Sequence, residues 1–196
     1  MAGRFAASRG GILDRLEFVP GGSDAARQRF ERLVLPHLPA AYALARSLTG
    51  NRADAEDVVQ DACVRALPAI SGGAVANPRA WMLTIVHNTA YTWLSKNRPA
   101  AIVAVDDLEL AEQSSPHGGD QNTPELALIA KSEAAHLEAA IAALPTMFRE
   151  VLVLRDIEGM NYREVAEITG VPIGTVMSRL TRARSRLITL LGRAAT

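Results

Sequence analysis

The residues whose types and spacing carry the most chemistry lie near the C-terminal end: Ser178, Arg179, Arg182 and Arg186. Arginines interleaved with hydroxyls at helical spacing can pair with phosphates and reach base edges in a major groove. Something must hold that row, and the preceding residues supply it. From Asn161 the chain predicts a first helix that buries Val165, Ala166 and Ile168, with Ala166 small where two helices cross. Gly170 stops that helix with a positive φ, and Val171-Pro172 turns the chain. A second helix then carries Val176 and Leu180 inward and Ser178, Arg179, Arg182 and Arg186 outward. The pattern is a helix-turn-helix. Thr175, with the backbone amides that open the second helix, is placed to hold a phosphate.

A second group is acidic. Asp54, Glu56, Asp57, Gln60 and Asp61 share a predicted helix whose other face is Ala55, Val58, Val59, Ala62 and Ala66. Carboxylates and an amide on one exposed face can pair with arginines of a partner helix. A metal site is not expected there, because no histidine sits at coordinating spacing. His37, His87, His117 and His136 are scattered, and neither a nucleophile–base pair nor a phosphate-cradling glycine loop occurs. The sequence therefore predicts no catalysis, no metal and no cofactor. Cys63, the single cysteine, lies among apolar neighbours and is expected as a small core residue.

These groups sit in an all-α chain of two small helical domains joined by a flexible acidic linker. Residues 1–22 are Gly/Arg-rich and poorly periodic, an expected mobile extension. The first domain is expected over residues 23–98. Ser23 is a candidate N-cap, followed by Phe30, Leu33 and Val34; Pro36 and Pro39 break the chain, and Pro39 suits the first turn of the next helix, which ends near Gly50. Asn51 caps the acidic helix, which a Gly/Pro-containing loop follows. Asn77-Pro78 opens a fourth helix, to about Asn97, with Trp81 and Trp93; Trp93 is expected in the core. Residues 99–123 carry Asp106, Asp107, Glu109, Glu112 and Asp120 with Ser, Pro and Gly, a linker composition. The second domain, residues 124–196, begins with a helix at Thr123-Pro124 that reaches about Ala143. Pro145 opens another, with Phe148, Val151, Leu152 and Leu154 apolar.

Charge balance adds a constraint. Lys+Arg and Asp+Glu number 21 each, for a formal net charge of zero. Autonomous DNA binders usually carry a basic surplus, because phosphate contacts dominate their affinity. DNA binding is then either weak alone or completed by a partner. Apolar residues make up 48% of the chain, ample for packed helices, yet no run is long enough to insert in a membrane and no secretory signal is visible. The cytoplasm is the expected compartment.

Four blocks in this order resemble the bacterial RNA polymerase sigma factors of the extracytoplasmic-function group. They are Leu48-Thr-Gly-Asn-Arg-Ala-Asp-Ala-Glu-Asp-Val-Val-Gln-Asp, Pro78-Arg-Ala-Trp-Met-Leu-Thr-Ile-Val-His-Asn, Leu144-Pro-Thr-Met-Phe-Arg-Glu-Val-Leu-Val-Leu-Arg, and the helix-turn-helix. The resemblance implies a subunit that binds core polymerase, recognises −35 and −10 promoter elements and captures melted −10 bases. Asp57, Gln60 and Asp61 match positions that dock on the clamp helices of the largest polymerase subunit. Trp81, Ile85 and Val86 would brace the helix that reads the −10 element. Asn88 matches a position lining the pocket for a flipped base, with the Ser71 to Pro78 loop as the other wall; Tyr91, Thr92 and Lys96 belong to the same surface. The −35 positions fall on Met177, Ser178, Arg179, Thr181 and Arg182. An anti-sigma protein is the implied regulator.

The chain departs from the family pattern at three places. Thr92 stands where an acidic residue is frequent, Ser95-Lys96-Asn97-Arg98 replaces a denser basic run, and Met177 replaces a lysine or arginine. The competing expectation is a stand-alone helix-turn-helix repressor or activator with an N-terminal sensing domain. It would dimerise and bind an operator tightly without polymerase.

Overall fold

The computed structural model describes residues 24–71, 75–99 and 135–194. The extension expected over 1–22, the Ser23 cap, the linker beyond Pro99 and the helix start at Thr123-Pro124 lie outside the described residues. Every regular element among the described residues is helical, and the chain divides into two compact units.

The N-terminal half contains α1 (Asp24–Leu33), a 3-10 turn (Leu35–His37), α2 (Leu38–Thr49), α3 (Arg52–Ser71) and α4 (Pro78–Asn97). Pro39 stands in the first turn of α2, where a missing amide proton costs nothing. Gly50, at φ 83°, ends that helix, and its amide bonds the Arg46 carbonyl at 3.0 Å. Asn51 caps α3: its side-chain oxygen accepts from the Asp54 amide at 2.9 Å, and its own amide group donates to the Asp54 carboxylate. α3 packs against α2 and α1 through the expected stripe of Ala55, Val58, Val59, Ala62 and Ala66, joined by Cys63. Burial pushes the Cys63 thiol up to about 12, which makes it an inert core residue.

α3 continues across Pro68 to Ser71. A proline inside a helix costs about 3 kcal/mol. Pro68 is exposed, so its ring meets solvent rather than core, and the extra turn buries Ile70. That burial returns about 2 kcal/mol. α4 begins as expected, with the Asn77 side chain accepting from the Ala80 amide at 3.1 Å. Its buried residues are Met82, Leu83, Val86, Ala90 and Leu94. Trp93 is only half-buried; the core position next to it belongs to Leu94. His37 is held below the ordinary histidine range by burial and, secondarily, by the nearby Arg79 charge.

In the C-terminal half, residues 135–142 are helical (α5), followed by α6 (Thr146–Leu152), a π-turn (Val153–Ile157), α7 (Tyr162–Thr169) and α8 (Ile173–Ala194). Pro145 caps α6, as its position predicted. The π-turn was not evident from the sequence. Val151, Leu152, Val153 and Leu154 are all buried, four in succession, more than one face of a 3.6-residue helix can bury. The wider turn accommodates them, with the Glu158 amide reaching back five residues to the Val153 carbonyl at 2.9 Å. Asp156 and Ile157 are left on the surface.

Candidate nucleic-acid and polymerase interfaces

The helix-turn-helix is assembled by a set of local contacts. Asn161 and Glu164 form a reciprocal capping box at the start of α7: the Glu164 amide donates to Asn161 Oδ1 at 3.0 Å, and the Asn161 amide to Glu164 Oε2 at 2.8 Å. Arg155 ties the π-turn to it, donating to the Met160 carbonyl at 2.7 Å and lying 4.8 Å from the Tyr162 ring centroid. Gly170 has φ 69° and the Val171 amide bonds the Ala166 carbonyl at 3.2 Å, so the turn has the expected left-handed form. Val165, Ile168, Val176, Leu180 and Ala183 are buried between the elements; Ala166 is half-buried.

Along α8 the expected reading residues divide into two groups. Met177 is 51% exposed, and Ser178, Thr181 and Arg182 are exposed, with Thr175 half-buried. The Ser178 hydroxyl donates to the Thr175 carbonyl and the Thr181 hydroxyl to the Met177 carbonyl, each at 3.0 Å.

Arg179 and Arg186 do not face outward as the sequence suggested. Arg179 Nη1 lies 3.2 Å from Glu150 Oε1, with the two side chains only 19% and 2% exposed. The physical reason is Glu150 itself: α6 packs against α8, and a carboxylate buried there requires a cation. Arg186 stacks over Phe148, 5.1 Å from the ring centroid. Arg184 forms a two-bond pair with Asp156 at 2.6 and 3.0 Å. Three of the four arginines between residues 179 and 186 thus hold α8 to its own unit. Arg182 stands exposed without such a contact among the described residues. Spacing alone could not reveal these pairs, whose partners lie 28 and 29 residues away. The available signal was Glu150, a charge inside an apolar run.

On α3, Asp57 and Asp61 are exposed and Gln60 is half-buried, with the exposed Val64 one turn beyond. Asp61 pairs with Arg65 at 3.0 Å and Glu56 with Arg52 at 2.7 Å. Exposed pairs of this type contribute little to stability, so a partner's cations can displace them at little cost. On α4, Asn88, Thr92, Ser95 and Lys96 form one exposed stripe, while Trp81 and Ile85 are half-buried and Val86 is buried. Tyr91 is half-buried, its ring centroid 4.5 Å from that of His87. Residues 72–74 of the expected second wall lie outside the described residues. Among the described residues no cluster of His, Cys, Asp and Glu could hold a metal, and no helix is long and apolar enough to cross a membrane.

Two families match the chain. Residues 33–99 match Sigma-70 region 2, and residues 135–187 match Sigma-70, region 4. The ECF RNA polymerase sigma factor EcfG of Rhodopseudomonas palustris is 34% identical over 81% of this chain and 82% of its own length. The ECF RNA polymerase sigma factor SigE of Mycolicibacterium smegmatis is 31% identical over 87% of this chain, which spans 64% of that relative. Among solved structures, the sigma factor RpoE in complex with the anti-sigma factor NepR from Bartonella quintana superposes with a TM-score of 0.61. It is 30% identical and covers 83% of this chain and 96% of its own.

Proposed function

The chain belongs to the sigma-70 family of RNA polymerase sigma factors, in its extracytoplasmic-function group, and from that membership we propose which surface meets which partner. It is a promoter-specificity subunit of RNA polymerase. Asp57, Gln60 and Asp61 on α3 dock on the clamp helices of the largest subunit. Asn88, Tyr91, Thr92 and Lys96 on α4 receive the non-template strand of the −10 element, with Asn88 bonding the edge of a flipped base. Thr175, Met177, Ser178, Thr181 and Arg182 on α8 face the −35 duplex. Arg179 acts there from a fixed position, clamped by Glu150. The protein works in the cytoplasm, carries out no catalysis of its own and is held in check by an anti-sigma protein.

The observation that carries this reading is how the α8 arginines are engaged. With Arg179 and Arg186 drawn into the unit and Arg184 paired at the surface with Asp156, fewer cations are left to neutralise phosphates, and affinity for duplex alone is small. A free-standing repressor needs the opposite. Polymerase supplies the missing binding energy, and the helix-turn-helix supplies selectivity.

Two substitutions separate the promoter surfaces. Arg182→Ala in holoenzyme should lower occupancy of the −35 element by about 1–3 kcal/mol if a base contact is lost. Asn88→Ala should leave −35 binding unchanged and slow open-complex formation, read by permanganate reactivity of the −10 thymines. Normal melting by Asn88→Ala would remove Asn88 from the base pocket.

A further inference from the structure

One flank of α8 is apolar where DNA recognition usually employs charge. Ile173 and Met177 are 43% and 51% exposed, and Thr181 is exposed one turn further on. Positions i, i+4 and i+8 drift by only about 40° per step on an α-helix, so the three form one continuous strip. The Thr181 hydroxyl is turned to the Met177 carbonyl at 3.0 Å, and its methyl group remains to face outward. The next cation along this flank, Arg184, is held by Asp156 through two bonds. The strip therefore presents methyl and thioether groups and no uncommitted cation. Arg182 and Ser178 stand exposed beside it on the crown of the helix.

Accepting the assignment of α8 to the −35 duplex, we infer that Ile173, Met177 and Thr181 read thymine 5-methyl groups in the major groove. Exposed apolar side chains on a DNA-facing helix gain free energy only where the groove is itself apolar. The thymine methyl is the one such group on a base-pair edge. Arg182 beside the strip supplies the charge complementarity that draws it to the phosphates, while Met177, flexible and polarizable, fits a methyl without requiring fixed geometry. The strip selects a −35 element carrying thymines at neighbouring steps, on one strand or divided between both.

The test replaces thymine with uracil, which removes the methyl group and leaves base-pairing intact. Holoenzyme assembled from the full chain and core polymerase selects from a duplex library randomised in the −35 segment. The recovered sequences are then rebuilt with deoxyuridine in place of thymidine in that segment only. Wild-type holoenzyme should lose about fourfold in occupancy for each methyl removed, the effect of exposing one buried carbon. Met177→Ala should bind the thymine and uracil duplexes more nearly alike, whereas Arg182→Ala should weaken both equally and keep the difference. Equal binding of thymine and uracil duplexes by a wild-type holoenzyme that still selects a −35 sequence would overturn the inference. Absence of any −35 selection would overturn the assignment of α8 itself.

Discussion

Glu150→Ala should destabilise the C-terminal unit by about 3 kcal/mol, the cost of removing one partner of a buried ion pair. Glu150 is almost wholly buried, and its carboxylate faces Arg179 at 3.2 Å. Truncation leaves the Arg179 guanidinium facing an apolar gap between α6 and α8, and α8 loses one of the contacts that fix its orientation. Urea unfolding followed by circular dichroism should show a lower midpoint, with −35 selectivity lost before all helicity is gone. The paired replacement Glu150→Met with Arg179→Met should recover much of the stability, because apolar side chains of similar volume fill the same space without desolvating a charge. It should not recover promoter selectivity. A change in stability below about 0.5 kcal/mol for Glu150→Ala, the range of ordinary surface substitutions, would mean that the pair does not anchor α8.

Asp57→Lys combined with Asp61→Lys should reduce affinity for core polymerase by roughly hundredfold, since paired charges lost at an interface cost about 2–5 kcal/mol. Both carboxylates are exposed on α3, opposite Val58, Ala62 and Ala66. The fold should survive. Among the described residues the substitutions remove the exposed pair of Asp61 with Arg65, worth a few tenths of a kcal/mol in a helix. Affinity can be read by competition for core against a reference sigma factor, with the helical signal of the variant as control. Unchanged affinity with an intact fold would move the docking surface off α3.

The architecture was largely legible because its punctuation is local. Pro39 and Gly50 bound α2, Asn51 and Asn77 cap α3 and α4, and Gly170 marks the turn before α8. Each acts within three or four residues, so a linear reading can find it. The apolar stripe of α3 and the inward Val176 and Leu180 follow from helical period in the same way. Other features depend on elements distant in sequence. The arginine row of α8 looks uniform along the chain, yet Glu150, Asp156 and Phe148 engage three of its members from α6 and the π-turn. The continuation of α3 across Pro68 is accompanied by burial of Ile70, a nonlocal gain. The same division explains the candidate sites. Exposure of Asp57, Asn88, Met177 and Arg182 could be inferred from period, whereas the inward turn of Arg179 required knowledge of what lies across from it.

On this proposal the chain supplies promoter selectivity but not, by itself, promoter affinity. Its net charge of zero and the internal engagement of Arg179, Arg184 and Arg186 both imply a small phosphate term. The most direct test is equilibrium binding of a duplex promoter, recovered by transcribing a genomic library with this chain and core polymerase. Binding should be measured at physiological salt with the chain alone and with the chain on core. Alone, the chain should bind weakly and nearly without regard to sequence. On core, binding should be tight and should fall when either the −35 or the −10 element is scrambled. Nanomolar, sequence-specific binding by the isolated chain would contradict the account.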